Sequence, residues 1–373
     1  MFDFFTFTIY LLLLFSIYFV NADKSQNILS YNDFNNYNMS LNIKEIISLI
    51  LIGVIVGIRY EVGVDWYYYK ELYIDSGFIN SDDFYFENGY FYLNQFFATN
   101  GFSYQTAFFF ITVFTWFFIF KSVNRNYLSL FLFFIFCTEF FFWSMNGVRQ
   151  FIAIAIYGFS IKYIIDKKFF HFLFWIYFAS LFHQTALFLL PTYIFRNPIF
   201  AKRSFAMSFF VLSFAIGTND SVMNVIEESL SGLVLLFQLE RGIDYLIQSG
   251  GLSTDETLSL GIGYYLFIFT NLIVIYFSDD IIKKNKELSI YFSLFFVGTV
   301  IYNLTYWSSE LVRINQYFIY FKSFCLTLIT YHSLHSKQSL FKAQLLILLF
   351  FINFLALIYI SSNMSNPYRI LLQ

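Results

Sequence analysis

Four arginines lie outside the short basic loops where positive charge sets membrane topology. They are Arg59, Arg149, Arg241 and Arg313. A guanidinium donates paired hydrogen bonds to phosphate or carboxylate oxygens and keeps its charge at any physiological pH. We therefore expect these arginines to bind a strongly anionic group. Arg241 is the weakest candidate because the adjacent Glu240 suits a solvated loop equally well.

The motif NGVRQ places Arg149 and Gln150 at the start of an apolar segment, Val148 to Ile165. In a helix, the free amides and the dipole of this first turn add positive potential beside the guanidinium. That geometry suits a phosphate, with Gln150 as a further substrate contact. The structural alternative is an ion pair of Arg149 with Glu139 or with a carboxylate of the preceding acidic loop.

The motif LVRINQYFIY carries a second polar stripe. Arg313, Gln316, Tyr317 and Tyr320 recur at helical spacing, which predicts one shared face at the end of a membrane span. A cationic and polar face on a membrane helix is expected to point into the bundle, and it indicates a functional site. We predict an anion-binding role for Arg313 and substrate contacts by the other three residues.

The motif RYEVGVDWYYY begins at Arg59 and continues through Asp65 to Tyr69. Aromatic faces stack on the C–H surfaces of sugars, and carboxylates accept hydrogen bonds from hydroxyl groups. We predict substrate binding by Tyr69 and assign Asp65 as one of two candidate bases. The structural alternatives are that Arg59 anchors a helix end and that the rings form an interfacial belt.

The other candidate base is His183, in the polar triplet His183-Gln184-Thr185 of the apolar stretch Phe169 to Phe195. Basic residues on both sides of this stretch favour the same side of the membrane for its two ends. Because 27 residues are too few for two spans of about 20 each, we predict two short helices that enter the membrane and return, with the triplet at their turn. One long tilted helix is the alternative.

The elements that position these residues are membrane helices. Hydrophobic residues make up 58% of the 373 positions and charged residues 12%, which predicts an all-α, polytopic helical bundle in one transmembrane domain, residues 1–373. About ten full spans are expected, in addition to the short pair. They are Phe2 to Val20, Ile43 to Ile58, Tyr104 to Phe120, Tyr127 to Met145, Val148 to Ile165, Ser204 to Thr218, Ile262 to Phe277, Leu288 to Leu304, Val312 to Tyr331 and Leu340 to Ile360.

The loops separate by charge. Short loops carry most of the lysines together with Arg125, Arg196 and Arg203 and are assigned to the cytoplasm, whereas the acidic segments 59–103 and 220–261 are assigned to the outside. The first apolar run lacks a basic start, which favours a retained span over a signal peptide. Cys137 and Cys325 lie in apolar helices and are expected to pack. The sequence has no zinc-type Cys/His spacing, no glycine-rich phosphate loop and no basic patch for nucleic acid.

The order of RYEVGVD, NGVRQ, FHQTAL, LVRINQY and a terminal NPY resembles the EpsG/Wzy polysaccharide polymerases over nearly the whole chain. The resemblance implies a multi-pass protein of the bacterial inner membrane, a glycosyltransferase that joins oligosaccharide units carried on undecaprenyl pyrophosphate at the external face. It implies no metal or other cofactor, a glycan of the O-antigen, capsule or exopolysaccharide class, and a chain-length regulator as a partner.

On this resemblance, Arg149 and Arg313 bind the pyrophosphate, Arg59 assists or orders the loop, and His183 or Asp65 accepts the proton of the acceptor hydroxyl. Arg241 matches the family pattern only weakly. Three rival functions stay open: an O-antigen ligase that uses the same donor, a lipid-linked oligosaccharide flippase, and a membrane acyltransferase. No internal repeat of the kind found in many transporters is visible.

Overall fold

The computed structural model describes residues 3–22, 39–79, 87–196, 202–219, 222, 225, 262–282, 288–306, 309–335, 339–360 and 368–370. Within these ranges the chain is helical, and its one extended contact is an isolated bridge between Arg59 and Ile370. The predicted all-α class is confirmed. Arg241 lies outside the described residues, as does all of the predicted outer loop 220–261 except residues 222 and 225.

The helices follow in chain order: α1 Phe4–Asn21, α2 Ile43–Gly57, α3 Trp66–Asp75, α4 Asn88–Thr99, α5 Tyr104–Phe120, α6 Arg125–Cys137, α7 Phe140–Asn146, α8 Val148–Ile165, α9 Phe169–Ser180, a 3-10 helix Gln184–Arg196, α10 Arg203–Gly217, α11 Ile262–Tyr276, α12 Asp279–Ile282, α13 Ser289–Thr305, α14 Ser309–Ile319, α15 Phe321–Leu334 and α16 Leu340–Ile360.

Three of the described helices are long and apolar enough to cross a membrane unaided: α1, α8 and α16 over Leu340–Tyr359. The bent pair α6 and α7 makes a fourth if it forms one span, and several further apolar helices are 10 to 17 residues long. The chain is therefore a helical membrane protein. The predicted number of about ten spans stays a prediction.

Helix α8 lies at the centre of the bundle. It is 83% buried, whereas the apolar windows of α1 and α16 are 33% and 28% buried and leave most of their surface for lipid. Helix α8 packs on α5 and α9 and contacts α14, while α15 packs between α6 and α16. The Arg149 motif therefore starts a helix that is largely enclosed by other helices.

The predicted span Tyr127 to Met145 is not one straight helix. Helices α6 and α7 meet at 66° around Thr138, whose backbone is extended. The Thr138 hydroxyl donates to the Phe134 carbonyl at 2.8 Å, and the Asn353 amide donates to the Cys137 carbonyl at 2.9 Å. Side-chain donors thus satisfy carbonyls near the break, as backbone at membrane depth requires.

The predicted span Val312 to Tyr331 is also divided. Helix α14 starts earlier, at Ser309, and it gives way to α15 at Tyr320. The stretch Phe169 to Phe195 contains α9 and the 3-10 helix, separated by Leu181, Phe182 and His183. These two helices pack against each other, so the chain reverses at the polar triplet. The alternative of one long continuous helix does not describe this stretch.

Candidate active site

Glu87 is the point at which three separate elements of the site meet. It is the N-cap residue of α4, and its Oε2 accepts a hydrogen bond from Arg149 at 2.5 Å. Its Oε1 lies 3.2 Å from His183 Nδ1 and accepts the Gln184 backbone N–H at 3.0 Å. The Glu87 and Arg149 side chains are 9% and 15% exposed, and His183 is 22% exposed. One shielded carboxylate therefore joins α4, α8 and the His183 turn.

The Glu87 carboxylate is ionised throughout the neutral pH range. Burial raises its pKa, but the His183 hydrogen bond, the Arg149 charge and the Gln184 amide together lower the pKa from 4.5 to about 2. The pKa of Glu87 in the folded protein lies below its ordinary value of 4.5. The ionised carboxylate therefore stabilises the fold fully above pH 4.5, and this stabilisation is lost as the pH falls towards 2. At neutral pH, then, the ion pair with Arg149 persists.

Close backbone contact holds Glu87 beside the turn. The Gly89 N–H donates to the Leu181 carbonyl at 2.9 Å. A Cβ at Gly89 would lie only 2.6 Å from that carbonyl oxygen and 3.0 Å from its carbon. Only glycine allows the first turn of α4 to approach this closely without a shift, so Gly89 positions the carboxylate that precedes it by two residues.

Helix α14 joins the same end of the bundle through two contacts. Gln150 Nε2 donates to the Arg313 carbonyl at 2.5 Å, which connects the start of α8 to α14. The hydroxyls of Tyr317 and Thr185 lie 3.2 Å apart, which connects α14 to the His183 turn. The Arg313 side chain itself is exposed. Gln150, Arg313 and Tyr317 thus lie around the Arg149 site, as predicted.

Asp65 and Tyr69 line the adjacent part of the site. The Asp65 backbone N–H donates to Asn146 Oδ1 at 3.0 Å, next to the start of α8. Burial raises the pKa of Asp65, and the positive charges of Arg313 and Arg149 oppose the rise. Tyr69 is buried, and its pKa is raised by burial while the charge of Arg149 and hydrogen bonding with it act against the rise. Both residues therefore lie close enough to Arg149 for its charge to lower their pKa values, and the charge of Arg313 also lowers the pKa of Asp65.

Arg59 does not belong to this cluster. Its side chain is 1% exposed, and its Nε, Nη1 and Nη2 donate to the carbonyls of Val62, Val56 and Met145 at 3.1, 2.7 and 2.8 Å. The structure thus favours the helix-anchor alternative over the predicted assistance in pyrophosphate binding. The physical reason is that the last turn of α2 and the end of α7 present carbonyls that lack helical donors.

Gln316 and Tyr320 also point elsewhere. Gln316 lines a separate cavity of about 220 Å³ with Glu139 and Lys322. Tyr320 is fully buried and packs against Phe140 and Phe324. The shared face predicted from helical spacing therefore divides in the structure: Arg313 and Tyr317 reach the Arg149 site, and Gln316 and Tyr320 do not.

Glu87 is the site residue that the sequence motifs missed. It is one of seven acidic residues between Arg59 and Ser103, and neither its spacing nor its neighbours distinguish it from the others. Of the structural alternatives for Arg149, the ion pair with a carboxylate of this loop is present. A buried salt bridge at the start of an apolar helix is compatible with both anion binding and a structural role, so pyrophosphate binding by Arg149 stays a prediction.

The fold and the site together define a helical membrane protein with a cationic site that contains a carboxylate–histidine pair. The family model described as EpsG family matches residues 42–370, and the chain belongs to this family. The matched region runs from the start of α2 to the C-terminal bridge and includes every residue of the site. The family includes Wzy-type polymerases, so the resemblance found in the motifs is confirmed.

Membership in this family indicates a polysaccharide-polymerase-like membrane protein. No curated protein and no solved structure matches the chain.

Proposed function

We propose that this protein is a membrane glycosyltransferase that polymerises oligosaccharide units carried on undecaprenyl pyrophosphate. The donor glycan leaves its lipid carrier and is joined to the nonreducing sugar of a second lipid-linked unit at the external face of the bacterial inner membrane. The observation that carries the proposal is the contact of Arg149 with the Glu87–His183 pair at the start of α8, in a chain of the EpsG family.

Departure of the carrier requires stabilisation of its developing negative charge. Arg149 already binds an anionic oxygen, because Glu87 Oε2 lies 2.5 Å from its Nη1, and a pyrophosphate oxygen can take the same place. Arg313 approaches from α14 with an exposed side chain. In a site partly shielded from water, two guanidinium groups stabilise a leaving pyrophosphate without a proton donor.

The acceptor hydroxyl needs a base. His183 Nδ1 faces Glu87, so the other ring nitrogen, Nε2, is the candidate proton acceptor. Asp65 remains the second candidate, and the burial that raises its pKa also makes it a stronger base. Direct attack by the acceptor oxygen inverts the anomeric centre, and one base is sufficient, unlike the two carboxyl groups of glycoside hydrolysis.

The proposed function is tested by deletion of the gene in its host, followed by electrophoresis of the surface glycan and complementation with the wild-type gene. A polymerase defect leaves single repeat units on the normal anchor. Long chains retained on the lipid carrier would indicate the ligase instead, and loss of all exported glycan would indicate the flippase.

The close approach at Gly89 gives a prediction about site geometry. Alanine at this position pushes α4 away from Leu181 and moves Glu87 relative to Arg149 and His183. A displacement of about 1 Å at a reacting site costs on the order of 10²-fold in rate. We therefore expect Gly89→Ala to lower polymerisation to that extent, measured as polymer formed per molecule of protein in the membrane.

Gly263→Ala is the matched control, because a methyl group there meets no atom within 4 Å. Equal polymer yields from the two variants, at equal protein levels, would contradict the role of Gly89 in placing Glu87.

A further inference from the structure

We propose that Glu87 is a positioning residue that fixes His183 as the base and orients Arg149 for the leaving group. The inference rests on the proposed function, because it assigns roles within the same reaction. It concerns a residue that no sequence motif indicates, and it follows from the way in which the two carboxylate oxygens are divided between their partners.

The Glu87 carboxylate determines which ring nitrogen of His183 carries the proton. Glu87 is ionised, with a pKa of about 2, and an ionised carboxylate only accepts hydrogen bonds. Since Oε1 lies 3.2 Å from Nδ1, Nδ1 must carry the proton. Nε2 of neutral His183 then has a free lone pair. The carboxylate thus selects the tautomer whose Nε2 accepts a proton from the acceptor hydroxyl.

The two carboxylate oxygens of Glu87 bind different partners. Oε1 is bound by His183 and by the Gln184 amide, whereas Oε2 is bound by Arg149. A pyrophosphate oxygen can therefore replace Oε2 as the hydrogen-bond acceptor of Arg149, while Oε1 keeps its hydrogen bond with His183. Before substrate binds, Oε2 keeps the guanidinium at the start of α8. It also competes with the substrate for that guanidinium.

The chemical step then balances. The acceptor oxygen forms a bond to the anomeric carbon, and the bond from that carbon to the pyrophosphate oxygen breaks with its electron pair on the departing pyrophosphate. The hydroxyl proton moves to Nε2 of His183. The resulting imidazolium is stabilised by the Glu87 carboxylate through Nδ1–H, and the proton is later released to water.

This assignment predicts opposite effects on rate and binding in Glu87→Gln. A general base contributes about 10²- to 10⁴-fold, so loss of the carboxylate should lower kcat at least 100-fold. The KM for the lipid-linked unit should not rise and is expected to fall, because Arg149 loses a competing anion. The assay uses the purified full-length protein in lipid nanodiscs with repeat units extracted from the deletion host.

A purely structural role for Glu87 gives a different pattern, in which KM rises or the protein is lost. Glu71→Gln is the matched control, since it removes an exposed carboxylate of the same acidic loop and should leave both constants unchanged. Glu87→Asp should recover part of kcat. The double variant of Glu87→Gln with His183→Ala should be slowed by much less than the product of the two single effects, because Glu87 acts on proton transfer through His183.

A spectroscopic measurement on the wild-type protein tests the geometry even if the glutamine variant does not fold. The chain has four histidines, and ¹⁵N chemical shifts of labelled protein, with His183→Ala for assignment, report which ring nitrogen is protonated. We expect the Nδ1–H tautomer at neutral pH. The Nε2–H tautomer would overturn the inference.

Failure of the inference and failure of the proposed function are distinguishable. If the wild-type protein forms no polymer from the extracted units, the proposed function fails, and the tautomer measurement still tests the geometry. If the wild type polymerises and Glu87→Gln keeps its kcat and KM, the positioning role fails and the function stands.

Discussion

Arg149→Ala should abolish long glycan chains while leaving the protein in the membrane. The guanidinium is expected to stabilise the leaving pyrophosphate, and removal of one such donor typically costs 10²- to 10³-fold in kcat. The protein should remain folded, because Glu87 keeps its hydrogen bonds with His183 and the Gln184 amide and is not left as an unpaired buried charge. The measurement is glycan electrophoresis from the complemented deletion strain, beside an immunoblot of the membrane fraction.

The matched control is Arg203→Ala. Arg203 is also an arginine paired with a carboxylate, 3.6 Å from Asp279, but it is more exposed and lies at the start of α10. We expect this variant to form polymer of normal length. Arg149→Lys should recover only part of the activity, since lysine keeps the charge but lacks the planar pair of donors. Normal polymer in a stably inserted Arg149→Ala strain would disprove pyrophosphate binding by Arg149.

The predicted residues that the structure brings together are those for which local chemistry is decisive. A cationic and polar face on a membrane helix is expected to point into the bundle, which is why the sequence predicts Arg149 and Arg313 for one site, and the structure connects their helices through the hydrogen bond of Gln150 to the Arg313 carbonyl. The polar triplet after α9 was similarly informative, because a short apolar stretch with basic residues at both ends is predicted to reverse direction. His183 lies at that reversal.

Tertiary arrangement explains what the sequence could not supply. The sequence predicts that the polar stripe from Arg313 to Tyr320 lies on one continuous helix. In the structure α14 ends before Tyr320, and adjacent side chains of α14 contact different partners. Gln316 lines the cavity beside Lys322, whereas Tyr317 reaches Thr185 across the bundle. Glu87 was hidden among similar carboxylates, because only the docking of α4 on the His183 turn selects it.

Arg59 is the opposite case, because it resembles a ligand-binding arginine in the sequence but donates to backbone carbonyls in the structure. Positive charge at an external helix end opposes the usual topology bias, and this suggests a ligand-binding role in the sequence. The structure gives a different reason for the Arg59 charge, because the guanidinium is buried and donates hydrogen bonds to the backbone. The carbonyls of Val56, Val62 and Met145 converge on one point, and a planar guanidinium has enough donors for all three.

We therefore expect Arg59→Ala to destabilise the protein strongly. Each buried carbonyl left without a donor costs about 1–3 kcal/mol, so three of them cost at least about 3 kcal/mol. Further loss is expected because the loop after Arg59 holds the C-terminal segment: the Tyr60 N–H donates to the Arg369 carbonyl at 2.9 Å. The measurement is the yield of monodisperse protein after detergent extraction, together with its melting temperature.

Arg369→Ala is the control in the same region, since it removes an exposed arginine whose guanidinium pairs with Glu61 at 3.0 Å. Exposed ion pairs contribute little to stability, so this variant should extract and melt as the wild type does. The decisive comparison is activity per folded molecule. If Arg59→Ala is recovered at wild-type yield and melting temperature but forms no polymer, Arg59 acts on the substrate and the structural assignment is wrong. If the surviving folded fraction polymerises at the wild-type rate, the guanidinium serves only to join α2, α7 and the outer loop, and the anionic leaving group depends on Arg149 and Arg313.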